Sequence, residues 1–166
     1  MDAVTRIVVL ADTHVHPGGA RQLPDPVHGH LETADLILHA GDVVSADLLH
    51  QLEAFAPVRA VLGNNDHTLV GVLPEVDEFE VDGVRFGMIH DSGARQGRSA
   101  RLHRRFPDAD VVVFGHSHLP CDEEGVDGQR LFNPGSSTWR RAAPTYTIGL
   151  IETHGGELRR HRIVDV

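Results

Sequence analysis

The chain has 166 residues, 40% of them hydrophobic and 23% charged, an ordinary balance for one globular domain over 1–166 with a full core. Lys plus Arg number 15 and Asp plus Glu 24, leaving a formal net charge of −9, which argues against a protein whose main work is to coat a nucleic-acid backbone. A single cysteine, Cys121, excludes an intrachain disulfide, and the longest apolar stretches fall far below the roughly 20 residues of a membrane helix.

The N-terminal residues show no secretory pattern, so we expect a cytoplasmic protein with no membrane partner. The compositional anomaly is 13 histidines, scattered along the chain and often beside Asp or Gly. That distribution points toward metal chemistry.

In chain order, Arg6–Ala11 is a short Val/Ile run that reads as a buried strand and stops at Asp12-Thr13-His14. Pro17–His30, rich in Pro, Gly and His, reads as a long surface loop. A second strand, Asp35–His39, leads into Ala40-Gly41-Asp42. Ser45–Phe55 reads as a helix with a serine cap and Leu48, Leu49, Leu52 and Phe55 at helical spacing. Val58–Leu62 ends at Gly63-Asn64-Asn65-Asp66. Glu78–Val81 and Val84–Ile89, joined at Asp82-Gly83, read as a hairpin whose second strand ends at His90-Asp91. Arg95–Phe106 is a helix with Leu102 and Phe106 one turn apart, and Val111–Phe114 runs into Gly115-His116-Ser117-His118. Cys121–Gly128 is acidic and reads as a solvated loop. The last third is strand-rich: Arg130–Phe132, Thr145–Ile151 and Leu158–Val164, the last two joined by Gly155-Gly156. Strands alternating with helices imply parallel βαβ units, and the hairpins add antiparallel pairs, so the expected fold class is a layered α/β domain with mixed sheets.

Five of these strands end at residues able to hold a cation. Asp12-x-His14 offers a carboxylate and an imidazole that an extended segment would turn to one side. Gly41-Asp42 offers a carboxylate able to bridge, and Gly63-Asn64 a neutral amide oxygen. His90 adds an imidazole, and Gly115-His116-Ser117-His118 adds two more at a spacing that packing seldom demands. Each motif alone also fits an ordinary turn. Their order decides, because strand carboxyl ends converge on one ligand site in α/β folds. A dinuclear centre needs such ligands to hold two cations about 3.5–4 Å apart, which then stabilise the attacking and leaving oxygens of a displaced ester.

With these motifs in this order, from Asp12 to Asn133-Pro134-Gly135-Ser136, the chain resembles the calcineurin-like metallophosphoesterase superfamily, and within it the small single-domain bacterial and archaeal phosphodiesterases. The resemblance implies two mixed sheets packed as a sandwich flanked by helices. It also implies one cation held by Asp12, His14, Asp42 and His118 and a second by Asp42, Asn64, His90 and His116, with Asp42 bridging. The family mechanism implied is in-line attack on phosphorus by a metal-bound hydroxide. Asp42, Asn64, Asp66 and His90 are thus candidate catalytic residues, and Asn65 and Ser136 candidate substrate contacts. Oxygen and nitrogen ligands without sulfur suit manganese, iron, zinc, cobalt or nickel, with manganese favoured by the resemblance.

The pattern departs at one place. The broader superfamily carries His after the Gly-Asn, and this chain has Asn65, which donates hydrogen bonds but cannot act as a general acid. We expect a preference for leaving groups that need little protonation. His67 is a candidate substitute acid, against the plainer reading of a loop histidine. Asp66 either orients a neighbour or caps a loop, and Ser136 either touches phosphate or closes a turn. The arginines of 95–105 and Arg140-Arg141 read as solvated charge or as phosphate contacts. Trp139 reads as a stacking platform or an interface plug, and Cys121 as a packing residue. The expected partner is a small phosphate ester, nucleic acid is not expected as the main partner, and a homo-oligomer is open. The rival readings are a scaffold of the same fold without turnover, as one retromer subunit resembles, a phosphomonoesterase and a nuclease.

Overall fold

The computed structural model describes residues 3–166. Ten strands form two five-stranded mixed sheets. Thr5–Leu10 (β1), Leu36–His39 (β2) and Val58–Ala60 (β3) pair in parallel, while Thr147–His154 (β9) and Glu157–Asp165 (β10) add antiparallel strands beyond β1. In the second sheet Val84–Ile89 (β5), Val111–Val113 (β6) and Arg130–Asn133 (β8) are parallel. Its antiparallel edges are Val76–Val81 (β4) and Cys121–Glu124 (β7).

The period-2 alternation of strand side chains assembles three apolar layers. Ile7 and Val9 face one way and pack with Leu38, Phe86, Met88, Val111, Val113 and Phe132 between the sheets. Val8 and Leu10 face the other way and meet the helices Asp25–Leu31 (α1) and Ala46–Glu53 (α2) through Val27, Leu31, Leu48 and Leu52. On the far side Val112, Phe114 and Leu131 pack against Leu102 of the helix Arg98–Arg105 (α3) and the adjoining Phe106. The chain is therefore a helix–sheet–sheet–helix sandwich. A continuous Val run such as Val111–Val113 is buried because it serves two layers at once.

The predicted strands and hairpins stand within a few residues of their expected bounds. Asp82 (φ 50°) and Gly83 (φ 80°) make the two-residue turn between β4 and β5, and Phe79 stacks on its register partner Phe86 at 5.3 Å. Three expectations need correction. Pro17–His30 is not all loop, because α1 begins at Asp25; seven residues with only Val27 and Leu31 buried leave too short an apolar pattern to read. Cys121–Gly128 is not a solvated loop, because β7 pairs with β8; an edge strand buries little, so its Asp-Glu-Glu stretch hides it. Phe55 lies beyond α2 and is 38% exposed, so it is not part of the helix's buried stripe.

The topology delivers the site. The carboxyl ends of β1, β2 and β3 in one sheet and of β5 and β6 in the other open onto the same end of the sandwich, and each is followed by one of the polar motifs.

Candidate metal centre

The seven predicted ligands converge. Ligand atoms of Asp12, His14 and His118 lie within 4.8 Å of one another, and those of Asp12, Asp42 and His90 do likewise. Asp42 Oδ2 stands between two imidazoles, 3.4 Å from His14 Nε2 and 3.5 Å from His90 Nε2. Asn64 Oδ1 lies 3.0 Å from His90 Nε2 and 3.2 Å from His116 Nδ1. Asp12 thus belongs to both clusters, and Asp42 faces ligands of both halves.

The convergence is not achieved by extended backbone, as expected for Asp12-x-His14. Asp12 (φ 54°), His14 (φ 46°), Asp42 (φ 58°), His116 (φ 71°) and His118 (φ 62°) all occupy the left-handed region. Each such non-glycine residue costs about 1 kcal/mol or more and persists only where its surroundings over-determine it. Tight loops fold the side chains back over the strand ends instead of projecting them forward. Two glycines make the room: a Cβ on Gly41 would lie 2.5 Å from His90 Nδ1, and one on Gly63 would lie 2.2 Å from the backbone nitrogen and Oδ1 of Asp42.

A lattice of buried hydrogen bonds holds these loops. Asp66 accepts the backbone N–H groups of Asp42 (2.9 Å), Val44 (2.6 Å) and Gly63 (2.7 Å), tying the loop after β2 to the loop after β3. His39 accepts the Gly41 N–H at Nδ1 (3.2 Å), so Nε2–H donates to Thr13 Oγ1 (2.9 Å) and links the loops after β1 and β2. The Ser136 hydroxyl donates to the Asp12 carbonyl (2.8 Å), and Thr138 donates to the Thr13 carbonyl. Asn133 donates to the Gly115 carbonyl (3.1 Å) and accepts the Gly135 N–H (2.9 Å), steadying the loop after β6.

Three of the predicted site residues are engaged by contacts within the protein. Both oxygens of Asp66 are taken by backbone N–H groups, which fits the orienting reading of this residue. Ser136 is buried with its hydroxyl donated to the Asp12 carbonyl, which fits the reading in which it closes the turn. The Asn65 side-chain amide donates to Asp42 Oδ2 at 2.9 Å, beside the Asn65 backbone N–H on Oδ1, so its contact is with Asp42. His39 carries no predicted role at all; the available signal was a histidine inside an apolar strand two residues before Gly41-Asp42.

Around the centre, Trp139 meets His14 and His118 edge-on at 5.0 and 5.3 Å. It carries the guanidinium groups of Arg21 and Arg141 at 4.2 and 4.6 Å from its ring centre. Three of the arginines of 95–105 make contacts within the protein: Arg101 donates to the Ser92 and Ala94 carbonyls, Arg98 lies over Phe114, and Arg95 pairs with Glu123 at the surface. Burial pushes the half-buried Cys121 thiol up to about 11, which suits a packing residue.

The electrostatics ask for positive charge. Both Asp12 carboxylate oxygens, His14 Nε2 and His118 Nε2 are buried without a hydrogen-bond partner. Burial drives the Asp12 carboxyl up to about 7. Burial likewise holds His14 down at about 4 and lowers His118, so both are neutral nitrogen donors near pH 7. At Asp42 burial works to raise the carboxyl, but hydrogen bonds from His90 and Asn65 overcome it and keep it ionised. His90 is opposed by burial and raised by Asp42 and Asp12. Its Nδ1–H donates to the Ala40 carbonyl (2.7 Å), and His118 Nδ1–H to the Trp139 carbonyl, which aims both Nε2 atoms at Asp12. A buried polar atom without a partner is expensive, and a cation relieves several at once. The donor set, two carboxylates, four imidazoles and an amide oxygen, fits a binuclear site for divalent cations.

Such a site on an αββα sandwich defines the metal-dependent phosphoesterase class. The model of the calcineurin-like phosphoesterase superfamily domain matches residues 5–156, and the chain belongs to that superfamily. A probable metallophosphoesterase of Methanothermobacter thermautotrophicus is 38% identical over 134 residues, covering 80% of this chain and 77% of the relative. The solution structure of a Thermotoga maritima protein is 32% identical, with a TM-score of 0.74 over 98% of this chain and 99% of that one. Wild-type Vps29 of Entamoeba histolytica, complexed with zinc, is 23% identical and shares the fold at a TM-score of 0.78 over 98% of both chains.

Proposed function

We propose that this phosphoesterase is a phosphodiesterase acting on small phosphodiesters in the cytoplasm with two divalent cations, manganese favoured. The observation that carries the reading is the buried, unpartnered set of Asp12 oxygens, His14 Nε2 and His118 Nε2, which packing alone would not leave unsatisfied. Bound there, divalent cations supply Lewis acidity and a lowered pKa for water.

The chain's residues do the rest. Trp139, beside His14 and His118, closes the buried half, while Asn64 is exposed, so an ester approaches from the Asn64–His116 side. Asn65 holds Asp42, and Asp66 and His39 fix the loops so that the ligands are placed before substrate arrives. The preference for a diester has a charge basis. Glu75 and Asp91 face the cavity on the open side, and they repel a dianionic monoester more than a monoanionic diester. Asn65 supplies no acid, which suits leaving groups that depart as weakly basic anions.

The test is a screen of the purified protein with manganese, iron, zinc, cobalt and nickel in turn, on bis-(p-nitrophenyl) phosphate and on p-nitrophenyl phosphate. Faster diester cleavage supports the proposal, and faster monoester cleavage overturns the diester preference. A second reading, a binding protein without turnover, draws on the fold shared with Vps29 and on Asn65. It predicts cation binding with no hydrolysis under any metal.

A further inference from the structure

Two cavities flank the centre, and they differ in charge. On the Asn64–His90 side a cavity of about 440 Å³ has an apolar wall that includes Leu62, Val76 and Ile89, and three carboxylates, Glu75, Asp91 and the backbone-bonded Asp66. Val70, 68% exposed, forms its lip. On the other side a cavity of about 280 Å³ is lined, among the described residues, by His14, His16, Gly19, Ala20 and Arg21, none of them a carboxylate. His14 is 5% exposed, and its Nε2 has no partner. Trp139, against the His14 ring, holds both Arg21 and Arg141 over its own ring. Among the described residues neither guanidinium pairs with a carboxylate, so this flank is positive.

Resting on the reading of the centre as a phosphodiesterase site, we propose that its substrates are asymmetric diesters. An uncharged or cationic arm seats in the Asn64–His90 cavity, and an anionic arm lies against Arg21 beside His14. The physics is charge complementarity at short range. A cationic or apolar group meets carboxylates and aliphatic walls on one flank, and a carboxylate or phosphate meets guanidinium on the other. A volume near 440 Å³ is enough for a small organic arm. The flanks also set the direction of binding, because the reverse orientation places anion against Glu75 and Asp91 and cation against Arg21.

The experiment compares three p-nitrophenyl diesters, whose second arm is choline, phenyl or 2-carboxyethyl, on the metal-loaded wild type, Glu75→Arg and Arg21→Glu. Neither residue holds the centre. Glu75→Arg is expected to raise KM for the choline diester about fivefold and leave the other two within twofold, while Arg21→Glu does the same to the carboxyethyl diester alone. Equilibrium binding of phosphocholine and phosphoglycolate, followed by calorimetry on the same proteins, reads the same preference without turnover. Equal effects on all arms, or exchanged effects, overturn the inference. Absence of hydrolysis with charge-selective binding intact would instead remove the phosphodiesterase reading and leave a charge-sorting binding site.

Discussion

The two halves of the metal centre are built differently. The inner half, Asp12, His14 and His118, is buried, roofed by Trp139 and left with unpartnered ligand atoms. In the outer half Asn64 is exposed, and its amide oxygen already engages His90 and His116. A buried set of anionic and lone-pair donors gains most from a cation, because desolvation has already been suffered and only a positive charge relieves it. An exposed, mutually bonded set gains less and exchanges more easily. The inner half is therefore built for retention and the outer half for access.

Asp12, shared by both clusters, carries the largest expected effect. Asp12→Asn should lower diesterase activity by at least about 10²–10³-fold and deplete both cations, measured by steady-state assay and elemental analysis. Wild-type metal content in that variant would dissolve the contrast between the halves. The same substitution has a pH signature under chelation. A carboxyl raised on folding lends stability below its unfolded pKa of 3.8 and loses it as the pH climbs to about 7. The asparagine carries no such proton, so Asp12→Asn should gain on wild type between pH 4 and 7, on the order of 3–4 kcal/mol, as read by denaturant melts. A gain that shrinks with rising pH would show Asp12 is ionised without cations.

Asp66→Ala comes next, because it strands three N–H groups, two of them buried, of the loops that present Asp42 and Asn64. A loss of roughly 3 kcal/mol in urea unfolding is expected. The halves can then be set against each other directly. His118→Ala should weaken cation binding by about tenfold more than His116→Ala in calorimetric titrations, and equal losses would erase the distinction. The smallest effect is a remote one: His39→Gln, which cuts the tie between Thr13 and Gly41, should reduce cation affinity about tenfold while the fold stays intact by circular dichroism.

Much of this was legible in the linear chain. Runs such as Arg6–Ala11 and Val84–Ile89 announce strands because buried β-branched residues leave a local signature, and Asp82-Gly83 announces its turn through backbone conformations that few residues adopt. The ligands were legible because carboxylates and imidazoles at successive strand ends have a chemical use and no packing one. Elements without an apolar signature were not legible, namely the short α1 and the acidic edge strand β7.

Composition and order by themselves determined which side chains are offered to a cation and at which strand ends. Only the tertiary structure decided how they meet: the left-handed loops at Asp12, Asp42 and His118, and the hydrogen bonds by which Asp66, Ser136 and Asn65 hold neighbouring residues. It also decided the recruitment of His39 between two loops far apart in sequence. The physical reason is that a hydrogen bond or an ion contact depends on atoms a few ångströms apart, and residues as distant in the chain as Asp12 and Ser136 acquire that proximity only when the sheets have packed.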